Sequence, residues 1–148
     1  MSGARLAAVA LRQVWRLPKA RPGREWQLPL EELVAAVALD CEAAGAVVIG
    51  HVKALAAWPE GGYVRASAVD TRHGPSAEST AMGVARESEL TLNVLVYGLA
   101  DEVVVGLATS ALTRLATTVG AQVTPCAPSA GGHVHVYPAS DEEGRKQR

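Results

Sequence analysis

The sequence predicts an α+β domain, in which an antiparallel β-sheet of about three to four strands carries two helices packed on one face. Two segments place apolar residues at helical spacing, and three segments alternate apolar with polar side chains, as half-buried strands do. The predicted order is helix–strand–strand–strand–helix–strand. A doubly wound parallel fold would alternate strands and helices throughout, so that class is excluded.

The first 28 residues are predicted to form a basic N-terminal arm or linker. Six basic residues precede the first acidic one, Glu25, whereas the rest of the chain holds eight basic and fifteen acidic groups, a net charge of −7. Residues 18–29 contain three prolines and a glycine, which favours an extended segment over a helix. Such an arm can bind nucleic acid, but we favour its lying on the chain's own acidic body or on a neighbouring subunit.

Residues 29–138 are predicted to form the single domain, which begins with a helix at Pro29. Proline is favourable at the first helical position, and Glu31 and Glu32 would lie near the positive end of the helix dipole. Gly45 supplies a left-handed stop. The apolar face of this helix comprises Leu30, Val34, Val37, Cys41 and Ala44.

Two strands follow, at residues 46–57 and 63–70, and the short turn between them predicts an antiparallel hairpin. Residues 71–88 are polar without a clear period and are predicted to be a long loop. A third strand is predicted at residues 89–97.

A second helix is predicted from about Leu99 to Val119, with Gly120 ending it. A last strand is predicted at 133–138, and residues 139–148 form a charged tail that we expect to be disordered.

Each predicted strand has one apolar face and one mixed face, because residues two apart in a strand share a face. In the first strand the apolar face reads Ala46, Val48, Gly50, Val52 and Ala54. The mixed faces contribute the candidate ligand-binding groups, which are His51, Lys53, Arg65, Ser67, Asn93 and Tyr97. Two fixed cations beside hydroxyl and amide groups suit a carboxylate or phosphate ligand. The alternative is an interface in which these groups pair with neighbours.

One hypothesis makes this face an enzyme site, with His51 as the catalytic acid or base and Lys53 and Arg65 holding an anionic substrate. Arg72 and His73, in the long loop, would complete the site. Cys126, His133 and His135 carry metal-ligand chemistry, but no second cysteine or carboxylate accompanies them, so no metal site is predicted. No cofactor is expected either.

The second helix carries little charge. Between Val103 and Val119 its only charged residue is Arg114. The side away from its apolar stripe holds Gly106, Thr109, Ser110, Thr113, Ala116, Thr117 and Thr118. A helix face open to solvent usually carries more charge, so we predict a homo-oligomer that uses this helix or the mixed sheet face.

The favoured hypothesis is therefore a small, non-enzymatic, self-assembling α+β protein whose polar sheet face is a subunit interface or a small-anion site. The alternatives are an enzyme acting on an anionic small molecule and a nucleic-acid binder. Cys41 and Cys126 lie in no CxxC motif, which predicts a cytoplasmic setting. No apolar run predicts a membrane span.

Overall fold

A computed structural model of the chain describes residues 5–59, 61–80, 83–125 and 134–136. It confirms an α+β fold with an antiparallel sheet and two helices. The elements in chain order are β1 (Leu6–Pro22), a 3-10 turn (Gly23–Trp26), α1 (Gln27–Ala43), β2 (Val48–Ala57), β3 (Tyr63–Ala68), β4 (Ser76–Ser79), β5 (Val84–Tyr97), α2 (Asp101–Val119), β6 (Gln122–Pro125) and β7 (Val134–Val136).

The sheet has six strands in the order β4-β3-β2-β5-β1-β6, and the three-residue β7 also pairs with β1. The prediction of three to four strands is therefore wrong. β1 and β2 are both antiparallel to β5, so they are parallel to each other with β5 between them. β5 and β6 are related in the same way across β1. Each helix thus joins two parallel strands that a third strand separates, as in split β-α-β units.

Both helices form where their apolar spacing predicts. α1 begins at Gln27, two residues before Pro29, and its buried side includes Leu30, Val34, Val37 and Cys41, whereas Ala44 is exposed. Gly45 follows its end with a φ of 112°. α2 carries Asp101 and Glu102 in its first turn and ends at Gly120 in the left-handed conformation. Arg114 on α2 donates a hydrogen bond to Asp40 on α1 at 3.1 Å and so links the two helices.

The predicted N-terminal arm is in fact β1, which lies between β5 and β6 inside the sheet. Its core-facing side chains are buried: Ala7, Val9, Leu11, Trp15 and Leu17. The prediction that the basic segment lies outside the folded core is wrong for residues 6–22, since this strand holds both neighbours by backbone hydrogen bonds. Its pairing with β5 is irregular between Arg16 and Arg21, which is where Pro18 falls.

The predicted long loop at residues 71–88 also contains strand structure. Ser76–Ser79 form the edge strand β4, and β5 begins at Val84 rather than at residue 89. β6 was not predicted, and β7 falls within the predicted last strand. The charged tail at 139–148 lies outside the described residues.

A β-bulge at Gly50 changes the face assignment at the start of β2. Ile49 pairs with Val96 and His51 pairs with Leu95, so Gly50 is the extra residue. A Cβ at Gly50 would lie 2.9 Å from the backbone oxygen of Leu95, which explains why only glycine fits there. Val48 was predicted to share the apolar face, but it pairs with Tyr97 and is 51% exposed. From His51 onward the predicted alternation holds.

The core lies between the helices and one face of the sheet. It is built from alternate residues of four central strands, including Val52, Ala66, Leu92 and Val94, whose side chains are at most 3% exposed. Trp26 and Trp58 add an aromatic pair with ring centroids 5.9 Å apart. Because both helices cover this face, the opposite face of the sheet, which we call the open face, carries no helix in the described part of the chain.

Candidate functional site

All six strand residues predicted as ligand-binding or catalytic lie on the open face. Lys53 pairs with Ser67 on one side and with Asn93 on the other, while Leu55 pairs with Arg65. His51 lies two residues from Lys53 in β2, and Tyr97 lies four residues from Asn93 in β5, so both face the same side of the sheet as these residues. The sequence thus placed these groups on one surface correctly, whereas their register came only from the structure.

A row of polar side chains crosses four strands at right angles. Ser76, Ser67, Lys53 and Asn93 occupy paired positions on β4, β3, β2 and β5. The Ser67 and Ser76 hydroxyl oxygens are 3.4 Å apart, a long hydrogen bond. Ser76 was not predicted as a site residue, because four residues of β4 are too few to show a period.

The neighbouring charges on the open face are paired. Arg65 forms an ion pair with Glu78 and lies 5.5 Å from the centre of the Tyr63 ring, while Arg12 forms an ion pair with Glu89. All four charged side chains are substantially exposed, so these pairs contribute little to stability, but each pair engages one cation of the face. Arg65 is therefore less available to a ligand than its sequence position suggested.

Lys53 lines a groove of about 580 Å³. The groove is also lined by the apolar side chain of Leu55 and by the polar residues Arg65, Ser67, Ser76, Glu78 and Asn93. Lys53 is exposed and has no hydrogen bond or ion pair with any described residue. It is the lining cation that is not already engaged by a carboxylate.

Arg72 and His73 do not line this groove. Their backbone N–H groups donate to Asp70 Oδ1 at 3.0 and 2.8 Å, and His73 Nδ1 lies 2.8 Å from Asp70 Oδ2. The backbone and side-chain hydrogen bonds from His73 lower the pKa of Asp70 to about 2. Thr71 donates to Glu42 near the end of α1 at 3.0 Å, so this loop is tied to the helix side of the sheet.

His51 is half-buried, pairs with Leu95 and is not among the residues that line the groove. Within the described ranges, His73 forms an ion pair with Asp70. In the same ranges, no cluster of three or more His, Cys, Asp or Glu side chains is placed to hold a metal ion. Cys126 and His133 lie outside the described residues, and His135 is described only through its backbone pairing with Ala10.

The outer side of α2 is exposed at Gly106, Thr109, Thr113 and Thr117, as predicted, and Val103 is exposed too, whereas Ala116 was predicted on this side but is buried. Within the described residues, α2 is also the helix whose length and composition would suffice to cross a membrane. Helices in the cores of globular proteins meet the same criterion, and α2 contributes Val104, Ala108 and Leu112 to the core. This property carries no conclusion about location.

Comparisons with protein-family models, with curated proteins and with solved structures found no match for this chain.

Proposed function

We propose that this protein is a non-enzymatic module that assembles with copies of itself through the open face. The observation that supports the proposal is a sheet face that no described helix covers and on which apolar side chains stand between two ion pairs. Leu55 is 36%, Tyr97 40% and Val48 51% exposed on this surface. Aromatic and aliphatic anchors surrounded by satisfied polar groups are typical of subunit interfaces.

The dimensions of the face suit a dimer. Six strands about 4.8 Å apart span roughly 24 Å, and strands of 4 to 17 residues, taken as about ten residues each, span roughly 34 Å, so the face covers about 800 Å². Stable interfaces bury roughly 800 Å² on each partner. Identical faces meet across a twofold axis, the commonest symmetry of homo-oligomers.

The two alternatives receive less support. An enzyme using His51 needs that imidazole in a shielded pocket with the substrate-holding cations, but His51 does not line the groove and Arg65 is paired with Glu78. Nucleic-acid binding relies on cations free to contact phosphates, and the basic segment offers fewer of them than its sequence suggests, because Arg12 is paired with Glu89 and Arg16 is directly opposite Glu87. A cytoplasmic location remains part of the proposal, on the argument from cysteine usage given above.

Sedimentation equilibrium of the full chain at micromolar concentration, in phosphate buffer, tests the proposal. We expect a mass above that of the monomer. Leu55→Lys adds a further uncompensated cation to the open face and should weaken association by at least about 100-fold. Leu39→Lys is the matched control, because Leu39 is an exposed leucine of α1, on the other side of the molecule, at 53% exposure.

A third variant distinguishes the two surfaces that the sequence suggested. Thr113→Lys places a charge on the exposed side of α2 and should leave the mass unchanged. A monomer at every concentration would contradict self-assembly. A dimer that survives Leu55→Lys but dissociates in Thr113→Lys would show that α2, and not the open face, is the interface.

A further inference from the structure

The described strands of the open face carry more positive charges than negative charges. Apart from His51, its described strand residues include five cations and three carboxylates: Arg12, Arg16, Arg21, Lys53 and Arg65 against Glu78, Glu87 and Glu89. Arg65 pairs with Glu78 and Arg12 pairs with Glu89, while Arg16 is directly opposite Glu87 in the register. Among these five cations, Lys53 and Arg21 have neither an ion pair nor a carboxylate directly opposite them, and of these two Lys53 is the one that lines the groove.

The described sheet face of a second copy brings no net negative charge. In a self-complementary interface both partners present the same surface, so each described face brings the same surplus of positive charge. Covering Lys53 without a counter-charge removes its hydration and leaves an uncompensated cation at the interface. An assembly of this kind therefore needs an anion from outside the two sheet faces.

The surroundings of Lys53 specify the chemistry of that anion. Ser67 and Asn93 flank it across the neighbouring strands, and Ser76 continues the same row. An ammonium group, two hydroxyls and an amide together offer several hydrogen-bond donors but only one full positive charge. An oxyanion with a single negative charge and several acceptor oxygens, such as a carboxylate or a monoanionic phosphate group, matches this set. The groove of about 580 Å³ is spacious enough for such a group.

We propose that assembly through the open face is linked to the binding of one small oxyanion per chain at Lys53. This inference rests on the proposed function, since the need for a counter-ion arises only when the face is covered. The anion is then a component of the interface and promotes association by mass action.

The test measures the dimerisation constant of the full chain by sedimentation equilibrium in sodium acetate, sodium phosphate and sodium chloride at matched ionic strength. Each dimer contains two grooves, so a tenfold rise in acetate or phosphate concentration should raise the constant by up to about 100-fold. Chloride should not reproduce this rise, because it lacks the several acceptor oxygens that the polar row can satisfy. An equal rise in all three salts would show general charge screening and would overturn the proposal.

Lys53→Met should remove the dependence on acetate and phosphate while association persists, since a buried charge is replaced by an apolar side chain of similar length. Lys19→Met, at an exposed position outside the open-face row, is the control and should keep the dependence. If Lys53→Met keeps the dependence, the anion binds elsewhere and the inference fails.

The acidic tail residues Asp141, Glu142 and Glu143 are a competing source of negative charge. The full chain with Asp141→Asn, Glu142→Gln and Glu143→Gln distinguishes the two sources. If the dependence on oxyanions appears only in this variant, the tail occupies the groove and the proposal is wrong. A dimer indifferent to oxyanions in both chains overturns the inference but leaves self-assembly standing, whereas a monomer in every salt overturns the proposed function itself.

Discussion

Val52 and Lys53 are consecutive residues of β2 that point to opposite faces of the sheet, and replacing each of them tests the face assignment directly. Val52 is 0% exposed and pairs with Val94 and Ala68, which also face the core. Lys53 is exposed on the open face, where no described residue pairs with its ammonium group. We predict that Val52→Asp abolishes the fold and that Lys53→Ala leaves it stable.

The magnitude of the first effect follows from burial. A fully buried valine contributes about 1.5–3 kcal/mol through its removal from water. An aspartate in its place also loses its hydration with no partner, which adds several kcal/mol. The total approaches the roughly 5–15 kcal/mol by which a whole domain is stable. Lys53→Ala changes an exposed side chain, so its effect should stay within about 0.5 kcal/mol.

Urea denaturation followed by tryptophan fluorescence measures both effects, because Trp15, Trp26 and Trp58 are all buried in the folded state. Val52→Ala is a useful intermediate, which should fold and lose about 2 kcal/mol from the removed methyl groups. All variants are compared at one protein concentration, since association contributes to apparent stability. A Val52→Asp chain as stable as the wild type, together with an unfolded Lys53→Ala chain, would refute the face assignment and the groove described above.

Three further predictions follow from other parts of the molecule. Deletion of residues 1–24 should prevent cooperative folding, measured as loss of the urea transition, because it removes β1 from between β5 and β6; a truncated chain with a normal transition would contradict the observed sheet. The pKa of Asp70 is lowered from 3.8 to about 2, so the contribution of this carboxylate to stability is present above pH 4 and declines as the pH falls towards 2. The difference in unfolding free energy between the wild type and Asp70→Asn should therefore shrink between pH 4 and pH 2. A constant difference would exclude the hydrogen-bonded turn. Burial raises the pKa of the Cys41 thiol to about 11. In a Cys126→Ser chain, the Cys41 thiol should therefore react with a disulfide reagent at pH 8 only after urea unfolding. Rapid reaction of the folded chain would contradict the burial of Cys41.

The sequence was least informative where structure depends on partners distant in the chain. The core-facing residues of β1 all lie an even number of positions apart: Val9, Leu11, Trp15 and Leu17. This is the period of a β-strand, and it was present in the sequence. The arginines at positions 12 and 16 obscured this period, because they led to the prediction of a basic arm. In the structure those cations lie on the open face opposite β5, where Glu89 pairs with Arg12.

The sequence patterns that could predict the short strands and the bulge are weaker than that of β1. β4 and β6 have four residues each, and so few residues cannot distinguish a strand from a loop. The bulge at Gly50 is imposed by the approach of the Leu95 backbone, which belongs to another strand. A pattern within one segment cannot report that contact.

The sequence by itself determined the two helices, the hairpin formed by β2 and β3, and the residues that share the open face. These depend on local spacing, on helix-stopping glycines and on the twofold alternation of strands, all of which act within a few residues. Only the tertiary structure decided that β1 lies inside the sheet, that Arg65 is engaged by Glu78, and that Lys53 retains an uncompensated charge between Ser67 and Asn93. The physical reason is that register joins residues far apart in the chain, and the neighbours of a side chain across a sheet are set by that register.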